Sequence, residues 1–120
     1  MTYQKRIGSF GEALASEFLR DLGYQFLDQN YNTRYGELDL VFLDEDIIVF
    51  VEVKTRTSSA FGSPESSITA AKLEHIQDAA LLWLQDHPDF KDDWRIDVVA
   101  ILLDSGGDPN DIKHFINVNL

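Results

Sequence analysis

The spacing of apolar residues predicts two helices on either side of a group of strands. Within residues 9–22 apolar side chains recur every fourth position, which is the repeat of one face of a helix. Gly23 follows, at the position where a helix commonly ends. The same repeat predicts a second helix over residues 69–87, with Thr69 as a good N-cap.

The segments between and after these helices have the composition of strands. Residues 24–33 form the first predicted strand, whose imperfect alternation suggests a bulge. Residues 37–56 read as two strands joined by an acidic turn, and a Ser-, Gly- and Pro-rich loop covers residues 57–67. Residues 95–103 are nearly all apolar, as in a central strand, and residues 112–119 follow as an antiparallel edge strand. The predicted order is α-β-β-β-α-β-β, in a mixed α/β sheet with a parallel β-α-β crossover and helices packed on it.

Charged residues are unusual in strands, and residues 37–56 contain three that invite a functional interpretation. Glu52 and Lys54 are two positions apart, so their side chains point to the same face of their strand. Asp39 on the preceding strand lies opposite Glu52 only if the intervening turn leaves an even number of residues unpaired. In that register two carboxylates and one amine converge.

This combination suits hydrolysis of a phosphodiester bond. Asp39, Glu52 and the carbonyl oxygen of Val53 are predicted ligands of Mg²⁺, or of Mn²⁺ in its place, because these ions prefer oxygen ligands. Lys54 would orient the attacking water or offset negative charge on the phosphate. The alternative is a surface hairpin that carries an ordinary Glu–Lys ion pair on its solvated face.

Glu12, in the first predicted helix, has two interpretations. Ser9 and Glu12 have the spacing of a capping box, in which the glutamate bonds back to the start of the helix. Alternatively, Glu12 is a third acidic group that reaches the metal or its water, with small residues at Gly8, Gly11 and Ala15 leaving it room.

The overall charge opposes binding to nucleic acid. Ten basic and 21 acidic residues give a net charge of −11, whereas contacts to phosphates supply most non-specific affinity for DNA. Arg34, Arg56 and Lys72 flank the predicted site and are candidate phosphate contacts, while the four aspartates of residues 86–93 cluster elsewhere. The alternative for Lys72 is a solvated side chain. Tyr35, beside Arg34, would either stack on a base or pack on the edge of the hairpin.

The motif also resembles a known family. Residues 36–41 (GELDLV) and 49–56 (VFVEVKTR) are similar to the signature of the uncharacterised YraN-like family, and so are Gly11-Glu12, Lys72 and the Asp-Val-Val of residues 97–99. This family is placed in the PD-(D/E)xK nuclease superfamily, with archaeal Holliday-junction resolvases and restriction endonucleases. The resemblance implies a restriction-endonuclease-like αβββαβ core, here with an additional C-terminal edge strand.

The resemblance also implies an activity, in terms less specific than the fold. It implies a Mg²⁺-dependent endonuclease-like protein whose catalytic residues are Glu12, Asp39, Glu52 and Lys54. Its substrate would be DNA that is branched or otherwise departs from B-form, and a junction substrate calls for two active sites and hence a homodimer. The rival expectation is a nucleic-acid-binding or protein-interaction module on a nuclease fold, which the charge of −11 favours.

Composition sets the remaining expectations. A chain of 120 residues with 44% hydrophobic content suits one domain with a real core. It has no cysteine, and so neither disulfides nor a thiolate metal site. We expect a cytoplasmic protein without a membrane segment, because no signal peptide and no run of eighteen apolar residues is present.

Asp97, near the start of the predicted strand over residues 95–103, has two interpretations. Its side chain would either form a hydrogen bond to the motif region or simply end the strand.

Overall fold

A computed structural model describes residues 2–57, 62–91 and 93–118. Residues 58–61 of the predicted loop, Asp92 of the predicted acidic cluster and the end of the last predicted strand lie outside this part of the chain. The elements, in chain order, are α1 (Tyr3–Asp21), β1 (Gln25–Thr33), β2 (Gly36–Asp44), β3 (Ile47–Arg56), a short 3-10 helix (Pro64–Ser67), α2 (Ala70–Asp86), β4 (Trp94–Leu103) and β5 (Pro109–Phe115).

The five strands form one sheet in the order β1-β2-β3-β4-β5. The β3 and β4 strands are parallel and connected through α2, and every other neighbouring pair is antiparallel. The predicted α/β order and mixed sheet are therefore confirmed, with β5 as the additional C-terminal edge strand. The architecture is compatible with a restriction-endonuclease-like core.

The sheet is covered by one helix on each face. On one face, Ala15 and Leu19 of α1 pack against the apolar side chains of β2, β3 and β4. On the other face, the buried residues of α2 pack on β2, β3 and β4, and the rings of Trp83 and Phe50 meet edge to face with 5.6 Å between their centroids. The central strands are thus buried on both sides, as their near-continuous apolar sequence predicts. Neither described helix combines the length and apolar character needed to cross a bilayer.

The first helix begins earlier than its apolar repeat predicts. Thr2 is the N-cap, and its hydroxyl accepts a hydrogen bond from the backbone N–H of Lys5 at 3.2 Å. The capping box predicted at Ser9 and Glu12 is therefore wrong, because Ser9 lies inside the helix and Thr2 already caps its start. The predicted end is confirmed: Gly23 has a φ of 94°, and its N–H donates to the Arg20 carbonyl.

A glycine lets α1 approach β3 closely. A Cβ added to Gly11 would lie 2.9 Å from Thr55 Cβ and would overlap Thr55 Oγ1. Gly11 is buried, and the next residue along the helix is Glu12. The close approach therefore brings the Glu12 backbone towards the end of β3 that carries the predicted motif.

We expect Gly11→Ala to lower the free energy of unfolding by about 1–3 kcal/mol, the usual cost of forcing extra volume into a packed contact. Gly8→Ala is the matched control, because a Cβ at Gly8 has nothing within 4 Å. It should raise stability by up to about 1 kcal/mol, since alanine is a better helix former than glycine. Urea denaturation of both variants measures the difference. Equal effects of the two changes would contradict the close packing of α1 on β3.

Both edge strands of the sheet are irregular. In β1 the register shifts between Phe26 and Asp28, which confirms the predicted bulge, and Asn30 has a φ of 50°. Strand β5 begins at Pro109, earlier than predicted, and the register of its pairing with β4 shifts between Leu102 and Leu103.

Asp97 anchors a polar network inside the fold. It is fully buried, with Arg95 Nε 2.9 Å and the Asn117 backbone N–H 2.9 Å from Oδ1, and His114 Nε2 2.8 Å from Oδ2. Burial by itself would raise the pKa of Asp97, but the hydrogen bonds from His114, Arg95 and Asn117 bring it below its ordinary value. Asp97 therefore fulfils neither prediction made from the sequence. It ties β4 to β5 and to the segment that follows β5.

Candidate active site

The predicted motif lies where β2 and β3 separate. The turn between these strands leaves Glu45 and Asp46 unpaired, an even number, and the pairing runs from Asp44 opposite Ile47 to Leu40 opposite Val51. Both strands continue beyond this last pair. The continuation places Asp39 level with Glu52 at the opening of a fork between the strands.

Regular alternation of side chains is interrupted at Asp39. Leu38 and Val41 both pack on the α2 side of the sheet, although side chains three positions apart should point to opposite faces, and Leu40 packs on the α1 side. The carboxylate of Asp39 instead accepts a hydrogen bond from the backbone N–H of Val53 across the fork, at 2.9 Å. The side chain thus takes the place of a backbone partner for β3.

One cavity at the fork collects the predicted catalytic and metal-binding residues. Its volume is about 470 Å³, and its lining includes Glu12, Asp39, Glu52, Val53 and Lys54. The other lining residues come from the first turns of α1, from the end of β3 and from the residue just after that strand: Tyr3, Gln4, Ile7, Gly8, Thr55 and Thr57. Residues distant in sequence are therefore brought together as the motif predicts, on the α1 side as well as from the two strands.

The carboxylates in this cavity are held in an environment that opposes their ionisation. Burial, followed by repulsion from the Glu52 carboxylate, raises the pKa of Asp39 to about 8, although the hydrogen bond from Val53 acts in the other direction. Burial also raises the pKa of Glu52 and of Glu12 above their ordinary values. Three acidic groups therefore face one space with too little positive charge to balance them.

The nearby cations compensate only part of this charge. Lys54 Nζ lies 3.7 Å from Glu52 Oε1, and both side chains are partly buried. Lys72, in the first turn of α2, approaches the same place: contact with the Lys54 side chain lowers the pKa of Lys72, and the charge of Arg56 adds to this effect. Lys54, Lys72 and Arg56 therefore form a cationic side of the site next to Glu52.

None of the three predicted phosphate contacts lines the cavity itself, and Arg34 lies apart from the cationic side that Arg56 and Lys72 form. It lies in the turn between β1 and β2, where its guanidinium group is 4.9 Å from the centre of the Tyr35 ring and donates a 3.1 Å hydrogen bond to the Tyr35 hydroxyl. Tyr35 is partly buried beneath it. The stacked pair lies at the tip of the hairpin whose second strand carries Asp39.

Two further polar residues belong to the site. Asn30, opposite Asp39 in the register of β1 and β2, donates hydrogen bonds to Glu12 Oε1 at 2.8 Å and to Glu37 Oε1 at 3.1 Å. Among the described residues, carboxylate oxygens of Glu12, Glu37 and Asp39 lie within 4.8 Å of one another. The sequence does not predict a role for Asn30. Its only signal is an asparagine where the alternation of β1 fails, since asparagine tolerates a positive φ.

The chemistry of these donors fits a hard divalent cation. Every candidate ligand is an oxygen: the carboxylates of Asp39, Glu52 and Glu12 and the backbone carbonyl of Val53, and Mg²⁺ and Mn²⁺ favour such ligands. A cation at this position would also lower the pKa of the Asp39 carboxyl, because opposite charge favours ionisation. Asp39 belongs both to the predicted ligand set and to the group with Glu12 and Glu37, which makes it the central acidic residue of the site.

Comparison with known proteins gives a family. The sequence profile of the uncharacterised protein family UPF0102 matches residues 11–101. Similar proteins, each described as a UPF0102 protein, occur in Syntrophomonas wolfei (48% identical over 113 residues, 94% of this chain and 96% of that protein), Vibrio parahaemolyticus (43% over 115 residues, 95% and 94%) and Rhodococcus jostii (40% over 114 residues, 95% and 96%). The match spans the site from Glu12 to Lys72 and most of both helices, and the chain belongs to the UPF0102 family, the YraN-like family that its motif resembles.

Proposed function

We propose that the protein is a divalent-metal-dependent endonuclease that hydrolyses phosphodiester bonds in DNA. The observation that carries the proposal is the shared cavity of Glu12, Asp39, Glu52 and Lys54, in which burial and mutual repulsion raise the pKa of the carboxyl groups. A site of this kind is unfavourable without a cation and becomes favourable with one. An ordinary Glu–Lys surface pair would not require the half-buried Asp39 beside it.

The residues divide into two roles. Asp39, Glu52 and the Val53 carbonyl would hold Mg²⁺, or Mn²⁺, with Glu12 in support. When bound, the ion supplies Lewis-acid polarisation of the phosphate and lowers the pKa of a bound water. The ammonium group of Lys54 donates hydrogen bonds to the attacking water or to the phosphate oxygens, where negative charge develops in the transition state. The hydrogen bond from Val53 N–H keeps one Asp39 oxygen oriented, which leaves its other oxygen for the cation.

The proposed substrate is DNA that is branched or departs from B-form. Lys72 and Arg56 would contact phosphates near the cleaved bond, on the side of the site next to Glu52, with Arg34 at the hairpin tip as a more distant contact. Cleavage at a junction requires two such sites, so we propose a homodimer that acts in the cytoplasm. Binding of DNA would require the cation, because the cation offsets the acidic charge that otherwise repels the phosphate backbone.

Cleavage and binding assays test the proposal. Labelled duplex, single-stranded and four-way-junction DNA are incubated with Mg²⁺, Mn²⁺, Ca²⁺ or chelator. We expect cleavage with Mg²⁺ or Mn²⁺, binding without cleavage with Ca²⁺, and neither with chelator. With about three to four phosphate contacts for each subunit, a plot of the logarithm of the binding constant against the logarithm of the salt concentration should have a slope of about −3 for a monomer. The slope should be about twice as steep for a dimer engaged at both sites.

A matched variant keeps the test specific. Asp46→Asn removes an exposed carboxylate in the turn of the same hairpin, so it changes the net charge without touching the cavity. Its cleavage should equal that of the native protein. Absence of DNA binding and cleavage under every metal condition would overturn the nuclease proposal.

The net charge of −11 favours a second candidate, a non-catalytic nucleic-acid-binding or protein-interaction module on the same fold. In that case the cavity would bind a cation that stabilises the fold. Removal of the metal would lower the melting temperature, and the DNA substrates would stay uncleaved with or without the metal. A protein that binds the cation but shows no hydrolysis with any of the three DNAs would identify this second function.

A further inference from the structure

The first two turns of α1 form a wall of the catalytic cavity. The apolar repeat places the start of the helix at Ser9, but the helix begins at Tyr3, and Tyr3, Gln4, Ile7 and Gly8 line the same cavity as Asp39, Glu52 and Lys54. The close contact at Gly11 holds this part of α1 against the end of β3. The segment that the apolar repeat leaves outside the predicted helix therefore contributes side chains to the lining of the site.

Tyr3 is an aromatic residue in this wall whose side chain is largely exposed. Its side chain is 64% exposed, more than that of any other exposed large hydrophobic residue in the described chain. No hydrogen bond, ring contact or cation–π contact to another described residue involves it. Burial in the core therefore does not explain its position, and the ring is free to contact a molecule in the cavity.

The charge of this segment differs from that of the chain as a whole. Residues 2–8 contain Lys5 and Arg6 and no acidic residue, although the complete chain has a net charge of −11. Lys5 lines a neighbouring cavity with Glu12, Asn30 and Glu37. The segment thus combines an exposed ring, the amide of Gln4 and two cations, and such a combination suits a nucleotide strand, whose phosphates attract the cations and whose bases stack on the ring.

We propose that Tyr3 stacks on an unpaired nucleobase next to the scissile phosphate, so that the site takes single-stranded segments of DNA in preference to paired duplex. This inference rests on the proposed nuclease function. The base faces of a continuous duplex are covered by their neighbours, whereas a base in a single strand, flap or open junction offers a free face to the ring. The cavity of about 470 Å³ is within the range of roughly 300–1,000 Å³ that small ligands occupy in proteins.

A fluorescent base tests this stacking directly. Oligonucleotides carrying 2-aminopurine beside the cleaved position, single-stranded or in duplex, are titrated with protein in Ca²⁺. Stacking on Tyr3 should quench the single-stranded probe. Tyr3→Ala should remove the quenching and weaken single-strand binding roughly 5- to 100-fold, the range for one base stacked on one ring. Tyr3→Phe, which keeps the ring, should retain the quenching and the affinity for the single strand. The affinity of Tyr3→Ala for duplex should change far less than its affinity for the single strand.

Phe10→Ala is the matched control. Phe10 is an exposed aromatic residue on the same helix but does not line the cavity, so its loss should leave quenching and affinity unchanged. If native protein cleaves and binds DNA but Tyr3→Ala binds the single-stranded probe as well as native protein does, the stacking proposal fails and the nuclease proposal stands. If native protein neither binds nor cleaves DNA, both fail. A shift of Tyr3→Ala from dimer to monomer in sedimentation, with binding per subunit intact, would instead assign the ring to a contact between copies of the chain.

Discussion

Asp39→Asn should abolish metal-dependent DNA cleavage and at the same time raise the melting temperature of the metal-free protein at pH 9. The two effects have one cause. Burial and the Glu52 carboxylate raise the pKa of Asp39 to about 8, so ionisation of this group opposes folding when no cation is bound. An asparagine still accepts the hydrogen bond from Val53 N–H but carries no charge, and it is a poor ligand for Mg²⁺.

The dependence of this effect on pH has a definite sign. In the unfolded chain Asp39 ionises near its ordinary pKa of about 4, whereas in the folded protein it ionises at about 8. Between these values the folded state binds the extra proton, so the stability of the native protein falls as pH rises. The advantage of Asp39→Asn should therefore be small below pH 4, widen from about pH 4 to 8 and then remain constant, at a few kcal/mol.

Thermal unfolding in chelator across this range measures the advantage, and repetition with Mg²⁺ tests its cause. Mg²⁺ should raise the melting temperature of the native protein and leave that of Asp39→Asn unchanged. The difference in melting temperature between the two proteins should therefore become smaller or change sign. Asp46→Asn, in the exposed turn of the same hairpin, is the control for loss of a negative charge and should change neither curve. A native protein whose melting temperature exceeds that of Asp39→Asn in chelator at pH 9 would refute the electrostatic account of the site.

Lys54→Ala should reduce the rate of cleavage by about 10²–10³-fold, as expected when one group that stabilises developing charge is removed. The fold should remain intact, because Lys54 is partly exposed and its ion pair with Glu52 is 3.7 Å long. Glu52 loses its ion-pair partner in this variant, so its pKa, which burial already raises, should rise further. Single-turnover cleavage and the melting temperature are measured together.

The chain offers a close control for this lysine. Lys113 also forms a 3.7 Å ion pair, with Glu65, and it does not line the cavity that holds Lys54. Lys113→Ala should therefore cleave DNA at the native rate. Cleavage by Lys54→Ala at the native rate, or a loss of cleavage accompanied by unfolding, would contradict the role assigned to Lys54.

The sequence predicts the fold well where a repeated pattern determines it. The alternation in residues 37–56 identifies both strands of the hairpin, and the acidic turn permits the register that sets Asp39 level with Glu52. The apolar stripe of α2 and the continuous apolar run of β4 likewise predict a helix and a strand buried in the middle of the structure. These signals are strong because burial of a whole face depends on many residues at once.

The sequence predicts less where a single contact decides the outcome. The start of α1 depends on the hydroxyl of Thr2, which lies before the apolar repeat begins. Asp97 looks like a strand end, and only the tertiary fold brings His114 and Asn117 to its carboxylate. The position of Glu12 depends on the fit of Gly11 against Thr55, a contact between residues 44 positions apart that no local pattern encodes.

The irregular edges of the sheet limit how two copies of the chain can associate. An edge strand exposes backbone N–H and C=O groups that a second strand can extend into a continuous sheet. Here the bulge in β1 and the positive φ of Asn30 interrupt one edge, and Pro109 with its register shift interrupts the other. Neither edge offers a long, regular ladder to a partner. A homodimer that cleaves both strands of a junction would therefore have to form through side-chain surfaces, which leaves the spacing of its two cavities free to match the DNA instead of the fixed repeat of a β-sheet.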